Sequence, residues 1–148
     1  MTADMKDLLG LFQRHGVEYV LVGGFAVNYY GYVRTTQDID LLVFPSADNA
    51  QRVMIALSEF GFGDAGIPQE LFEREGAAVH LGIEPNRIDI LTNLKGVCNS
   101  MIFAGSQIVD VDEVPVRIIS LEHLVEVKRS SDRPRDLADA DELVKINT

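Results

Sequence analysis

The stretch Leu21–Phe44, LVGGFAVNYYGYVRTTQDIDLLVF, decides how the chain is read. It places a glycine pair, Gly23-Gly24, thirteen residues ahead of Asp38-Ile39-Asp40, which opens directly onto Leu41-Leu42-Val43-Phe44. An apolar run of this kind, ended by Pro45, predicts a strand over Asp38–Phe44 that is covered on both faces and central in its sheet. Side chains alternate along a strand, so Asp38 and Asp40 share one face while Ile39 and Leu41 share the other. Two carboxylates one pleat apart repel, and one keeps a proton unless positive charge lies between them. A divalent cation supplies that charge, and Mg2+ prefers hard oxygen ligands from a few carboxylates, phosphates and water. Taken alone the tripeptide is common, and the plainer reading is favoured: Asp38 caps the strand and Asp40 faces solvent.

The residues in front of it change the balance. A strand over Glu18–Val22, then Gly23-Gly24, then a helix over Phe25–Tyr32 leaves bare backbone N–H groups where a phosphate can sit. Glycine permits the close approach this needs. Thirteen residues suffice for one short helix and a return to the neighbouring strand. Phosphate seat and carboxylates then face each other at one end of the sheet. A third carboxylate, Asp89, lies in Asn86-Arg87-Ile88-Asp89-Ile90-Leu91. In so apolar a strand it needs a partner, and an ion pair to Arg87 or another arginine competes evenly with a metal. If its strand lies beside that of Asp38 and Asp40, three carboxylates converge, a set able to hold two Mg2+ ions about 4 Å apart.

The remaining elements follow from periodicity and punctuation. Helices are predicted over Met5–Arg14, from Ser46 to about Phe60, over Gly96–Ala104, over Leu121–Arg129 behind a Ser120 cap, and from Pro134 to near Ile146. Strands are predicted over Ala77–Ile83 and Arg87–Leu91, joined by the turn Glu84-Pro85-Asn86, and over Ser106–Val109 and Val114–Ile119, joined by Asp110–Glu113. Residues 61–76 read poorly, with one short helix near Glu70–Arg74. This order argues for an α+β (α/β-like) fold with a mixed sheet flanked by helices. One domain over 1–148 is expected, with a core of about 17–119 and C-terminal helices over 120–147.

The chain has 148 residues, 47% hydrophobic and 24% charged, with a formal net charge of −10. Such a surface disfavours broad binding to a polyanion. The lone cysteine, Cys98, has no internal disulfide partner and reads as a small core hydrophobe. The start, MTADMKDLLGLF, shows no signal peptide, and no apolar run approaches the ~20 residues that span a bilayer. A soluble, cytoplasmic protein with no membrane partner is expected.

Gly23-Gly24, Asp38-Ile39-Asp40 and the later Asp89 together resemble the nucleotidyltransferase superfamily with the polymerase-β-like fold. Arg34-Thr35-Thr36-Gln37-Asp38-Ile39-Asp40-Leu41 resembles the form found in its AbiEii/AbiGii-toxin-like branch. So does the tail His123-Leu124, Lys128, then Arg133-Pro134-Arg135-Asp136-Leu137-Ala138-Asp139, where Arg135 stands in a place often taken by lysine. The resemblance implies transfer of a nucleoside monophosphate from an NTP to an acceptor hydroxyl, with release of pyrophosphate. It implies Asp38, Asp40 and Asp89 as catalytic metal ligands for two Mg2+ ions, with Asp89 assisting deprotonation of the acceptor. Gly23 and Gly24 would hold the triphosphate, with Arg34, Thr36 and Lys128 as further nucleotide-binding candidates. A tRNA or protein acceptor, as in the toxin of a toxin–antitoxin module with a cognate antitoxin, is the leading expectation. A small-molecule acceptor of the aminoglycoside or lincosamide type is the alternative, and a catalytically silent nucleotide- or partner-binding module is a third reading.

Blander roles stand beside these. Arg34 reads also as an exposed arginine at a strand edge. Lys128 reads also as a complement to its helix dipole. Arg133, Arg135, Asp136 and Asp139 read also as a helix start with an Arg135–Asp139 ion pair. His80 and His123 are expected to be structural. Tyr29, Tyr30 and Tyr32 are expected to be core rather than base-stacking.

Overall fold

The computed structural model describes residues 1–83 and 86–148. Its elements, in order, are α1 (Ala3–Arg14), β1 (Tyr19–Val22), α2 (Gly23–Tyr29), β2 (Ile39–Val43), α3 (Ala47–Leu57), β3 (Ala78–Leu81), β4 (Ile88–Leu91), α4 (Asn99–Gly105), β5 (Gln107–Val111), β6 (Val114–Ile118), α5 (Leu121–Arg129) and α6 (Pro134–Ile146). The strands form one six-stranded sheet in the order β3-β4-β2-β1-β6-β5. It is mixed: β1 pairs antiparallel with β2 and parallel with β6, β2 pairs parallel with β4, and the outer pairs β3–β4 and β5–β6 are antiparallel. This is the α+β architecture that the sequence predicts.

The central position expected for β2 is observed, and Ile39, Leu41, Leu42 and Val43 are all buried. Phe12 and Leu8 of α1, Leu21 of β1, Val53 and Leu57 of α3, and Ile90 of β4 join them in a single apolar cluster. Burial of this kind contributes about 1.5–3 kcal/mol per large aliphatic side chain, which holds the helices on the sheet. Ser46 and Ser120 cap α3 and α5 by accepting from the N–H groups of Asn49 and His123, as their positions predict. At the end of the sheet away from the glycines, buried Asn49 bonds Glu18 at both backbone N–H (2.8 Å) and carbonyl (2.9 Å), and also donates to the Phe44 carbonyl (2.9 Å). That side chain ties the start of β1 to the end of β2 and to α3.

Several boundaries differ from expectation. The helix after the glycines begins at Gly23 itself and stops at Tyr29. The helix expected to reach Phe60 ends at Leu57 and runs into a wide turn over Ser58–Phe62, because Gly61 adopts φ +110°. The helix expected near Glu70–Arg74 is a tight turn over Gln69–Phe72 that buries Phe72. β5 extends to Val111, so the hairpin turns at Asp112-Glu113, both at positive φ. The expected turn Glu84-Pro85-Asn86 falls partly on residues 84 and 85, outside the described residues. Cys98 is exposed rather than part of the core: it precedes α4, and Asn99 and Ile102 fill the interior there. Among the described residues, no helix is long and apolar enough to cross a membrane.

Candidate active site

Strand register assembles the site. Val22 pairs with Asp40 across β1–β2, Asp40 with Asp89 across β2–β4, and Asp89 with His80 across β3–β4. Directly paired residues share a face, so Asp40, Asp89 and His80 stand side by side in one row. The next residue after Val22 is Gly23, at φ +70°, where a Cβ would fall 2.1 Å from Asp40 Oδ2. At Gly24 a Cβ would fall 2.3 Å from Thr36 Oγ1. Only glycine leaves this space open, and what it presents over the carboxylate is bare backbone. All eight residues singled out from the sequence (Gly23, Gly24, Arg34, Thr36, Asp38, Asp40, Asp89 and Lys128) line one cleft of about 1070 Å3.

The three carboxylates are not equivalent. Burial, and then the neighbouring charge of Asp89, raise the Asp40 carboxyl from 3.8 to about 6, with Lys128 pulling the other way. Asp38 accepts a hydrogen bond from the Arg87 backbone N–H at 2.9 Å. Burial pushes Asp89 up as well, but the hydrogen bonds and charges of Arg87 and His80 outweigh it and leave its carboxyl below the usual range. Arg87 Nε donates to Asp89 Oδ1 at 2.7 Å and Nη2 to Oδ2 at 3.1 Å, while His80 Nδ1 lies 2.7 Å from Oδ1. The ion pair weighed for Asp89 is therefore present, and His80 is its second partner.

These facts bear on a metal. Asp40, crowded by another anion and costly to ionise, is the kind of ligand a hard cation relieves, and Asp38 lines the same cleft. Asp89 already has both oxygens engaged. Among the described residues, no group of three His, Cys, Asp or Glu side chains is arranged to hold an ion. The donor set fits a cation at Asp38 and Asp40, without Asp89 as a ready third ligand.

The opposite wall is basic and internally paired. Lys128 Nζ lies 3.0 Å from Asp136 Oδ1 and 3.2 Å from Asp139 Oδ2, and Arg34 Nη2 lies 2.9 Å from the same Asp139 oxygen. Arg34 Nε is buried with no partner among the described residues. Asp136 also accepts from Ser131 Oγ (2.6 Å) and Arg133 Nε (2.9 Å); burial raises its carboxyl, and these partners with Lys128 bring it below the ordinary value. The expected Arg135–Asp139 pair does not form, because Asp139 turns inward and is only 2% exposed. Arg135 is instead exposed at the cleft edge. Arg133, its side chain 82% exposed, keeps the bland role of an i,i+3 partner at a helix start. The inward roles of Asp136 and Asp139 had a signal in the sequence. Asp136, Asp139, Ala140 and Leu143 lie at i, i+3, i+4 and i+7, the buried stripe of α6, so two carboxylates occupy core positions.

Tyr30 and Tyr32 are partly buried and packed against the core as expected, whereas Tyr29 is 42% exposed. Tyr30 Oη donates to the Ile119 carbonyl at 2.6 Å, Tyr29 packs edge-on against Tyr30, and none of Tyr29, Tyr30 and Tyr32 lines the cleft. His123 packs against Gly105.

Solved structures of nucleotidyltransferases share the fold of this chain over most of its length. A lincosamide antibiotic adenylyltransferase with lincomycin bound is similar at TM-score 0.61 and 18% identity, over 99% of this chain and 98% of that one. A putative nucleotidyltransferase from Thermotoga maritima is similar at TM-score 0.58 and 14% identity, over 95% and 88%. The antibiotic-resistance factor ANT(2'')-Ia is similar at TM-score 0.56 and 14% identity, over 97% and 82%. Among curated proteins, none matches the chain by sequence. The chain belongs to the family described as nucleotidyl transferase of unknown function (DUF2204), which matches it over residues 1–148.

Proposed function

We propose that this transferase moves a nucleoside monophosphate from an NTP to an acceptor hydroxyl, using the cleft between Gly23-Gly24 and α6. The observation that carries the reading is the placement of Gly23 against Asp40, which leaves bare backbone above a carboxylate that is costly to ionise without a cation. The acceptor oxygen attacks the α-phosphorus, and the bond from that phosphorus to the oxygen bridging to the β-phosphate breaks. Pyrophosphate leaves, and the hydroxyl proton passes to solvent. Asp38 and Asp40 would hold Mg2+, which supplies neutralisation of the triphosphate and of the charge developing at phosphorus. Gly23 and Gly24 N–H groups and the Arg34 guanidinium hold the phosphates, and Thr36 closes over Gly24. Lys128 adds positive potential from its place between Asp136 and Asp139. Asp89 is kept ionised by Arg87 and His80 and is a weak base near neutral pH, which argues against its deprotonating the acceptor. Its charge instead sharpens the demand of Asp40 for a cation.

Two acceptor classes have support. The stretch Arg34–Leu41 and the α6 tail resemble the AbiEii/AbiGii-toxin-like branch, which favours a tRNA or protein hydroxyl, a toxin role and a cognate antitoxin. The near-equal span of the lincosamide adenylyltransferase favours a small antibiotic-like molecule, and the acidic chain suits a cationic one. Incubation with each labelled NTP, Mg2+ and separate pools of tRNA, protein, lincosamide and aminoglycoside identifies the acceptor by the pool that takes up label. A folded protein that labels none of them and binds no NTP in the presence of Mg2+ overturns the enzyme reading in favour of a silent partner-binding module.

A further inference from the structure

Asn28 lies in α2, five residues beyond Gly23, and turns both ends of its amide on one residue of the next loop. Its Nδ2 donates to the Arg34 carbonyl at 3.0 Å, and its Oδ1 accepts from the Arg34 N–H at 3.1 Å. This is the pairing a neighbouring strand would give, supplied by a side chain. The loop has need of it: among the described residues, none of the backbone N–H groups from Arg34 to Asp38 finds a backbone acceptor. Helix formation does not explain the asparagine, since its helix propensity is mediocre and the buried face of α2 is filled by Ala26 and Val27.

What the clamp fixes reaches well beyond the loop. The Arg34 guanidinium crosses to Asp139, 105 residues later in the chain, and Asp139 holds Lys128 as well. The buried Nε of Arg34 has no protein partner among the described residues. A guanidinium braced at Nη2 by a carboxylate, whose Nη1 has no protein partner among the described residues and which lines the cleft, suits an incoming phosphate oxygen. We infer that Asn28 is a positioning residue for the nucleotide: by pinning the Arg34 backbone to the helix that begins with the glycine pair, it sets the guanidinium, and through Asp139 the ammonium of Lys128, at the triphosphate. This deepens the nucleotidyl-transfer reading and rests on it. The chain from Asn28 through Arg34 and Asp139 to Lys128 links α2, the loop, α6 and α5.

The test is calorimetric titration of the intact chain with each of the four NTPs and with inorganic tripolyphosphate, all with Mg2+. The proteins are the wild type, Asn28→Ala, Arg34→Gln and the double variant. Asn28→Ala and Arg34→Gln are each expected to bind the preferred NTP about tenfold more weakly, the loss of one charge-assisted hydrogen bond. The double variant is expected to be no weaker than Arg34→Gln, because Asn28 acts through Arg34. Tripolyphosphate should report the same losses, since the contacts removed are to phosphate. Asn28→Asp keeps the acceptor for the Arg34 N–H and nearly the same volume; it serves if the alanine variant does not fold, with an intermediate loss expected. Asn28 variants that bind like the wild type, whatever their melting temperatures, overturn the assignment, as do losses that multiply to about a hundredfold in the double variant. A folded wild type that binds none of the probes overturns the nucleotidyl-transfer reading and this assignment with it. Wild-type binding with unaltered Asn28 variants leaves that reading standing and removes only the role of Asn28.

Discussion

The two ends of the β1–β2 pair solve the same problem in opposite ways. At the Glu18–Phe44 end, Asn49 is 2% exposed and uses its amide oxygen and both amide hydrogens on backbone groups of the strands. At the Val22–Asp40 end, the Asp40 carboxyl is pushed up to about 6 by burial and by Asp89, and nearby Arg34 Nε is buried without a partner among the described residues. Burying polar groups without satisfying them is costly, and the first end shows that this chain can satisfy them. Under the proposed function, the surplus at the second end is what a bound cation and triphosphate would satisfy.

Substitutions should separate the two ends. The largest effect is expected from Asp40→Asn or Asp38→Asn: nucleotidyl transfer to the labelled acceptor falls by at least about a thousandfold, while both variants keep a cooperative melt. Loss of folding instead would make these carboxylates structural and collapse the contrast. Asn49→Ala should do the reverse. Chemical denaturation is expected to show a loss of about 3 kcal/mol from three buried hydrogen bonds, with NTP affinity of the folded protein unchanged. Next comes a pH effect. Asp40 binds its proton more tightly folded (about 6) than unfolded (3.8), so its contribution to stability declines as pH rises through that window. Asp40→Asn should then melt like the wild type near pH 3.5 and be more stable above pH 6, by on the order of 2 kcal/mol. Equal melts across the range would show that the site end carries no surplus charge. The smallest effect is expected from Arg133→Ala, whose exposed ion pair to Asp136 should be worth less than about 0.5 kcal/mol in the same denaturation experiment.

Local signals are legible in this sequence and distant ones are not. Ser120 and Pro134 mark the starts of α5 and α6, and the observed helices span Leu121–Arg129 and Pro134–Ile146 as expected. The glycine pair, Asp-Ile-Asp and the isolated Asp89 announce themselves through short-range pattern, and the sheet gathers them into one cleft. The bend at Gly61 escaped because its positive φ is a choice that a glycine permits but does not dictate. Asp139 escaped for a different reason. A nearby arginine in the helix offers an obvious i,i+4 partner, whereas its actual partners are Lys128 on another helix and Arg34 far back in the chain. Cys98 shows the limit of reading burial from flanking residues when a helix cap intervenes.

The parallel pairing of β2 with β4 also governs how such a chain can diverge. Parallel strands are joined by a crossover rather than a tight turn, so the segment between Val43 and Ile88 can gain or lose residues without shifting the pairing of Asp40 with Asp89. Inside β4 the tolerance vanishes. A single inserted residue between Ile88 and Asp89 reverses the parity of the strand and sends that carboxylate to the far face of the sheet. Length variation among descendants of this chain should therefore gather in the crossover, where it leaves the carboxylate row in place.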